Sequence, residues 1–160
     1  MIRFVRIDDR LIHGQVVEGW LPELKVRRVL VVSDAAAADP MQSQLMRLAL
    51  PEEVALEVLP VADALARVRV AAQSPEPALV LAPGPAEVLA LLEGGARFDS
   101  VNVGGLHHAA GRVRIGRAIF ISAADQAALE AIAARGVRLE GRAVPSEPAE
   151  DVGALLRGRP

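Results

Sequence analysis

The sequence predicts an α/β fold, a mostly parallel sheet of about seven strands with about six helices on both faces. Three observations lead there. Short apolar runs rich in Val and Ile recur along the whole chain. Several, such as VLVV, ALVLA and AIFI, are apolar nearly throughout, as strands covered on both faces are. Helical patterns lie between most of these runs, and such alternation builds parallel sheets through crossover helices.

The strands read as Ile2–Ile7, Arg28–Val32, Leu56–Leu59, Ala78–Ala82, Ser100–Val103, Ala118–Ile121 and Arg138–Val144, none with an internal Pro. The first helix spans Gln15 to about Leu21. Asp39-Pro40-Met41-Gln42 reads as an N-cap, a Pro at the first helical position and a Gln at the third. That helix runs to about Leu50 and stops at Pro51. Val61–Ala72 and Pro85–Glu93 follow. Ser122-Ala123-Ala124-Asp125 is a similar box. Its helix carries Ala128, Leu129, Ile132 and Ala133 on one face and ends at Gly136. Glu147–Leu156 completes the set. The connection Gly104–Arg117 is Gly-rich and not helical in pattern, with room for a short extra strand at Arg112–Ile115. Residues 1–160 read as a single domain, because no Pro-rich stretch is long enough to be a linker.

Composition narrows the chemistry. Hydrophobic residues are 52% of the chain and charged residues 24%, which argues against disorder. The 18 basic and 20 acidic residues leave a net charge of -2, so nothing draws the chain to nucleic acid. Aromatics are only 2%, too few for base stacking. The absence of Cys removes disulfides, thiolate metal sites and Cys nucleophiles. No stretch has the length of a membrane span and the start does not read as a signal peptide, so the chain reads as cytoplasmic.

Ligands of such folds sit at the carboxyl ends of strands. The segment after the first strand, Arg6-Ile7-Asp8-Asp9-Arg10-Leu11-Ile12-His13-Gly14-Gln15-Val16, suits phosphate handling. Backbone N–H groups of Gly14 and Gln15 at a helix start favour an anion. Gly14 lets the backbone approach a ligand, and Arg10 offers a planar fork to phosphate oxygens. Asp8 or Asp9 can hold one imidazole nitrogen of His13 and leave the other free to attack. The bland alternative is a loop His among charges that solvate a strand end.

The string RIDDRLIHGQV, with Trp20 shortly after, resembles the phosphorylation-site segment of IIB subunits of the mannose/fructose/sorbose family of the phosphoenolpyruvate-dependent sugar phosphotransferase system (PTS). VVSDAAAADPMQSQLMRLALP, VNVGGLHH and RAVPSEP resemble later parts of that family in the same order. The resemblance covers roughly residues 1–157 and implies a seven-stranded sheet with helices on both faces. It implies a protein-Nπ-phosphohistidine–sugar phosphotransferase. His13, through Nδ1, would accept a phosphoryl group from a phosphohistidine of a IIA protein. It would pass the group to a sugar at the IIC/IID membrane subunits during uptake. Arg10 would stabilise the phosphate, and Asp8 and Asp9 would orient the ring. No metal or other cofactor is implied, and a homodimer is compatible with the family.

Other residues admit two readings each. Gly104 and Gly105 form either a plain turn or an amide nest for an anion. Asp34 is a turn or capping residue, or a wall of the His13 pocket. Arg6, Arg112, Arg114 and Arg117 are ordinary solvated Arg or a positive rim. Trp20 reads as packing of the first helix, and Val144-Pro145-Ser146 as a strand stop or a border of the site. His107 and His108 depart from the family's pattern, and their adjacency does not suit one metal ion. Two other functions compete. A regulatory IIB protein would be phosphorylated on His13 without sugar transport. A nucleotide-binding domain is disfavoured, since neither G-x-x-x-x-G-K-[ST] nor a G-x-G-x-x-G after the first strand is present.

Overall fold

Apolar runs and patterned segments alternate in the computed structural model, which describes residues 1–158. In chain order they are β1 (Ile2–Asp8), a π-helical stretch (Gln15–Trp20) continuing into α1 (Leu21–Leu24), β2 (Arg28–Val32), α2 (Asp34–Ala37), α3 (Pro40–Ala49) and β3 (Ala55–Leu59). Then come α4 (Val61–Gln73), β4 (Ala78–Ala82), α5 (Pro85–Glu93), β5 (Ser100–Gly105), β6 (Val113–Gly116) and β7 (Ile119–Ile121). The chain continues with α6 (Ala123–Ala134), β8 (Arg138–Gly141), β9 (Glu150–Asp151) and α7 (Val152–Arg157). Seven strands form one sheet in the order β3-β2-β4-β1-β5-β8-β9. All its pairings are parallel except that of β8 with β9.

Strand alternation splits the interior into two cores. On one face Val29, Val31, Leu79 and Leu81 meet Val16 and Leu21 of the first helical segment and Met46 of α3. On the other, Val5, Ile7, Val80, Val101, Val103 and Leu139 meet α4, α5, α6 and α7. Steps from β1 to β2 to β3 use the first face, and steps back towards β8 use the second. Right-handed crossovers require that change of face when the direction reverses. The neighbours β1 and β5 therefore send their chains to opposite sides, which opens a crevice at their carboxyl ends.

The local signals act as their chemistry dictates. The Asp39 carboxylate accepts from the N–H groups of Met41 and Gln42 at 3.1 and 3.2 Å. The box at α6 is reciprocal: Ser122 Oγ accepts from Asp125 N–H at 3.0 Å, and Ser122 N–H donates to the Asp125 carboxylate at 2.9 Å.

Three expectations need correction. The run Ala118–Ile121 is not in the main sheet. Its residues Ile119–Ile121 pair with β6 as a separate antiparallel hairpin, touching the sheet only by a bridge from Ile119 to Leu106. A strand has two edges, and those of β5 are already filled by β1 and β8. The seventh strand is instead β9, within the segment expected to be helix from Glu147. The strand expected to reach Val144 stops at Gly141, because side chains take the next carbonyls: Arg6 and Asn102 bond to that of Arg142, and Trp20 to that of Ala143. A short helix, α2, was also hidden in the sequence; Ser33 caps it by accepting from Ala36 N–H at 3.1 Å.

Ser122→Ala removes half of the reciprocal box. It should lower stability by about 1 kcal/mol and the melting temperature by about 2–4 °C in a thermal unfolding scan.

Candidate functional site

The site grows from the alternation of β1. Val5 and Ile7 point into one core, which puts Phe4, Arg6 and Asp8 on the opposite face. Arg6 and Asp8 are both wholly buried, and Arg6 Nη2 donates to Asp8 Oδ2 at 2.8 Å. Arg6 Nη1 donates to Asn102 Oδ1 at 2.8 Å and to the Arg142 carbonyl at 3.0 Å. Its Nε is buried and has no partner among the described residues. Beneath the guanidinium lies Gly104, where a Cβ would fall 1.9 Å from Arg6 Cζ. Trp20 completes the enclosure. It stacks on Phe4 with ring centroids 4.4 Å apart and donates its indole N–H to the Ala143 carbonyl at 2.9 Å. The guanidinium carbons of Arg6 and Arg142 lie 5.6 and 5.2 Å from its ring centroid.

Asp8 gathers the loop above it. Oδ1 accepts the Arg10 N–H at 3.1 Å, and Oδ2 lies 2.8 Å from His13 Nε2. Leu11 turns the chain between them in the left-handed region (φ 58°), which a branched side chain rarely adopts. Burial of Leu11 in the core and a bond from its N–H to the Asp8 carbonyl at 3.0 Å hold it there.

Burial alone would raise the Asp8 pKa. The His13 hydrogen bond, the Arg6 charge and the Arg10 N–H outweigh it and leave the carboxyl below its ordinary value. Asp8 is therefore ionised and can only accept. It fixes the hydrogen of neutral His13 on Nε2 and leaves the lone pair on Nδ1, which has no partner among the described residues. The side chain is 15% exposed and wholly buried Asp8 lies behind it, so His13 stands at the edge of a buried network. In its neutral form, a ring fixed in this way with one free lone pair can act as a nucleophile.

Arg10 stands beside it, 42% exposed, with Nη2 bonded to Gln15 Oε1 at 2.7 Å and Nε 3.7 Å from Asp8 Oδ1. The N–H groups of Val16 and Val17 bond to the His13 carbonyl, both at 3.0 Å. A Cβ on Gly14 would meet nothing within 4 Å, so the backbone there is open. A groove of about 720 Å³ begins at Gly14 and Gln15 and passes Glu18 to Val144 and Ser146. Val144-Pro145-Ser146 thus does border the site.

Several expected roles change. Asp9 does not hold His13. It accepts the His107 N–H at 2.7 Å, pairs with His107 Nδ1 and takes Arg112 Nη1 at 3.3 Å. Gly104 and Gly105 form neither a turn nor a nest but the end of β5. Asp8 pairs with Gly105 after Ile7 pairs with Val103, so the register slips by one residue at Gly104. This bulge makes room for side chains. Arg6, Arg112, Arg114 and Arg117 form no positive rim: Arg6 is buried, and Arg112 bridges Asp9 and Asp125. Arg114 bonds to carbonyls of its own hairpin, and Arg117 pairs with Glu147 and Glu150. Asp34 bonds to Val61 N–H at 2.8 Å, anchoring α4. His108 turns edge-on to Phe120. The supporting role of Arg6 and Asn102 was missed. The available signal was a charged residue at an inward position of an otherwise apolar strand.

The sequence matches the family described as PTS system sorbose subfamily IIB component over residues 2–159. The mannose-specific EIIAB component of Escherichia coli (strain K12) is 37% identical over 148 residues, 92% of this chain and 46% of that protein. The chain thus spans about half the length of its mannose-specific relatives. The N-acetylgalactosamine-specific phosphotransferase enzyme IIB component 2 of the same organism is 36% identical, with 94% and 96% of the two chains covered. The IIBSor domain of the sorbose permease from Klebsiella pneumoniae superposes with a TM-score of 0.92 at 27% identity, covering 100% of this chain and 98% of that one.

Gly104→Ala should push Arg6 off Asp8, cost about 1–3 kcal/mol of stability as overpacking does, and remove the single Nε2–H tautomer of His13 from the nitrogen-15 spectrum. Acid should act through Asp8. An unfolded Asp binds its proton near pH ~3.9, and the folded one only at lower pH. Between those values the unfolded state binds more protons, so stability rises with pH there and is full above. In urea unfolding, the stability excess of the wild type over Asp8→Asn should be full at about pH 6 and shrink below about pH 4.

Proposed function

The chain belongs to the sorbose subfamily of IIB components of the sugar phosphotransferase system, and from that premise we propose that His13 is the residue that carries the phosphoryl group. The observation that supports this reading is the Asp8–His13 bond at 2.8 Å on Nε2, which leaves Nδ1 unengaged. The donor is a phosphohistidine of a IIA protein. The Nδ1 lone pair attacks phosphorus, the donor's P–N bond breaks, and its electron pair stays on the donor ring. The Nε2–H bond to Asp8 is kept throughout, so the phosphorylated ring shares its formal positive charge with a carboxylate.

Arg10 is the exposed guanidinium of the loop and neutralises charge on the transferred oxygens, with the Gly14 and Gln15 amides nearby. The swap of one P–N bond for another is nearly balanced in energy, so positioning and charge stabilisation meet the demand. In the second half-reaction a sugar hydroxyl attacks phosphorus, the bond to Nδ1 breaks, and the hydroxyl proton is released to solvent. The sugar is presented by IIC and IID membrane subunits. No helix among the described residues is long and apolar enough to cross a membrane. We place the protein in the cytoplasm, peripheral to that permease.

Incubation with phosphoenolpyruvate, Enzyme I, the histidine phosphocarrier protein and a IIA protein should add one phosphate by intact-mass spectrometry. The adduct should be acid-labile and absent from His13→Ala. Failure to label the wild type from a demonstrably phosphorylated IIA protein would refute the assignment.

A further inference from the structure

Asp8 and Asp9 are consecutive, and each holds an imidazole by the opposite nitrogen. Asp8 takes Nε2 of His13 and leaves Nδ1 free. Asp9 takes Nδ1 of His107 and leaves Nε2 free. The second ring is firmly placed: Asp9 also accepts the His107 N–H, and Arg112 bonds to both the Asp9 carboxylate and the His107 carbonyl. It is also close to the first. A Cβ on Gly105 would lie 3.2 Å from His107 Cε1 and 3.4 and 3.5 Å from the two Asp8 oxygens. Only the space of that missing side chain separates the His107 ring from the carboxylate that carries His13. The bulge at Gly104 and Gly105 creates this space. With the ring 47% exposed, its free nitrogen is within reach of solvent.

Charge gives this placement a purpose. The ion-paired residues around the loop are Arg6, Arg10 and Arg112 against Asp8, Asp9 and Asp125. They cancel, and Arg142 with Glu140 cancels beside them. The oxygens of an arriving phosphoryl group carry a charge of about -2 near neutral pH, of which the positive charge formed on the phosphorylated ring offsets one. Arg10, the exposed cation beside His13, is already shared with Asp8 and Gln15, so the cluster gains one negative charge that its fixed ion pairs do not cancel. Arginines are already charged, and His13 is occupied at Nδ1 by the phosphoryl group itself. His108 is turned onto Phe120. The imidazole held beside Asp8 and able to gain a positive charge is His107.

We propose that His107, clamped by Asp9, is the cationic partner of the phosphoryl group on His13. As the phosphoryl arrives, His107 Nε2 takes a proton from solvent and donates a hydrogen bond to a phosphoryl oxygen. The P–N exchange itself consumes no proton, so the uptake is one proton on His107. This inference rests on His13 being the phosphoacceptor.

The test uses the whole chain, labelled with nitrogen-15 in its histidines and phosphorylated by a IIA protein or by potassium phosphoramidate. In the wild type, the His107 Nε2 resonance should move from a bare to a hydrogen-bearing nitrogen when His13 becomes phosphorylated. It should return when the phosphate is removed. His107→Gln keeps a donor for Asp9 but gains no charge, and should slow labelling by about 10- to 100-fold with either donor. A persisting effect with the small donor separates chemistry from protein docking. An unchanged His107 resonance in labelled protein, or labelling of the variant at the wild-type rate with both donors, overturns this inference and leaves His13 as phosphoacceptor intact. No label on wild-type His13 overturns the function proposed above.

Discussion

The buried ion pair between Arg6 and Asp8 is the constraint around which the rest of the site is arranged. Taking both charges out of water costs several kcal/mol per ion, and such a pair persists where most of its remaining hydrogen-bonding groups are met; here Arg6 Nε is left without a partner among the described residues. Burial pulls the Arg6 pKa down, and the adjacent Asp8 charge opposes it. Each neighbour answers a need of that pair. Asn102 and the Arg142 carbonyl satisfy Nη1, Gly104 supplies the volume, and the Trp20 face supplies a soft negative surface. The strand that would have run on to Val144 gives up its ladder for these bonds.

That arrangement converts a packing problem into reactivity. A carboxylate fixed by a buried arginine cannot drift or take up a proton near neutral pH. The histidine bonded to it therefore has one orientation and one tautomer before any partner arrives. Leu11 in the left-handed region turns the loop so that His13 meets Asp8 at the end of β1, and the π-helical stretch follows directly. Strain and irregular helix geometry cluster at working sites for this reason. The crevice itself is older than these details in the logic of the fold, since it follows from β1 and β5 leaving the sheet in opposite directions.

Much of this was legible in the residues. Val61, Pro85 and Ser122 mark helix starts where the helices do begin or are capped, because local capping chemistry and periodicity decide them. The loop from Asp8 to Gln15 announced itself by charge, His and Gly in sequence. The misreadings share a cause, which is competition between distant segments. Whether Ile119–Ile121 joins the sheet depends on which strand reaches the edge of β5 first. Whether Asp9 faces His13 or His107 depends on a bulge about a hundred residues away. Gly104 and Gly105 look like a turn locally; the Arg6 guanidinium against Gly104, and the His107 ring and Asp8 carboxylate against Gly105, explain their lack of side chains. Arg6 was concealed by its strand, where a charge on the inward face has meaning only once its partners are known.

Trp20 carries one more consequence. It is the single tryptophan of the chain and there is no tyrosine. Its indole centroid lies 5.6 and 5.2 Å from two guanidinium carbons, and the first of these groups is bonded to the carboxylate that holds His13. The chain thus contains one indole and no phenol, and that indole is embedded in the electric field of the charges around His13. Its emission is an optical record of that field, readable in solution without attaching a dye.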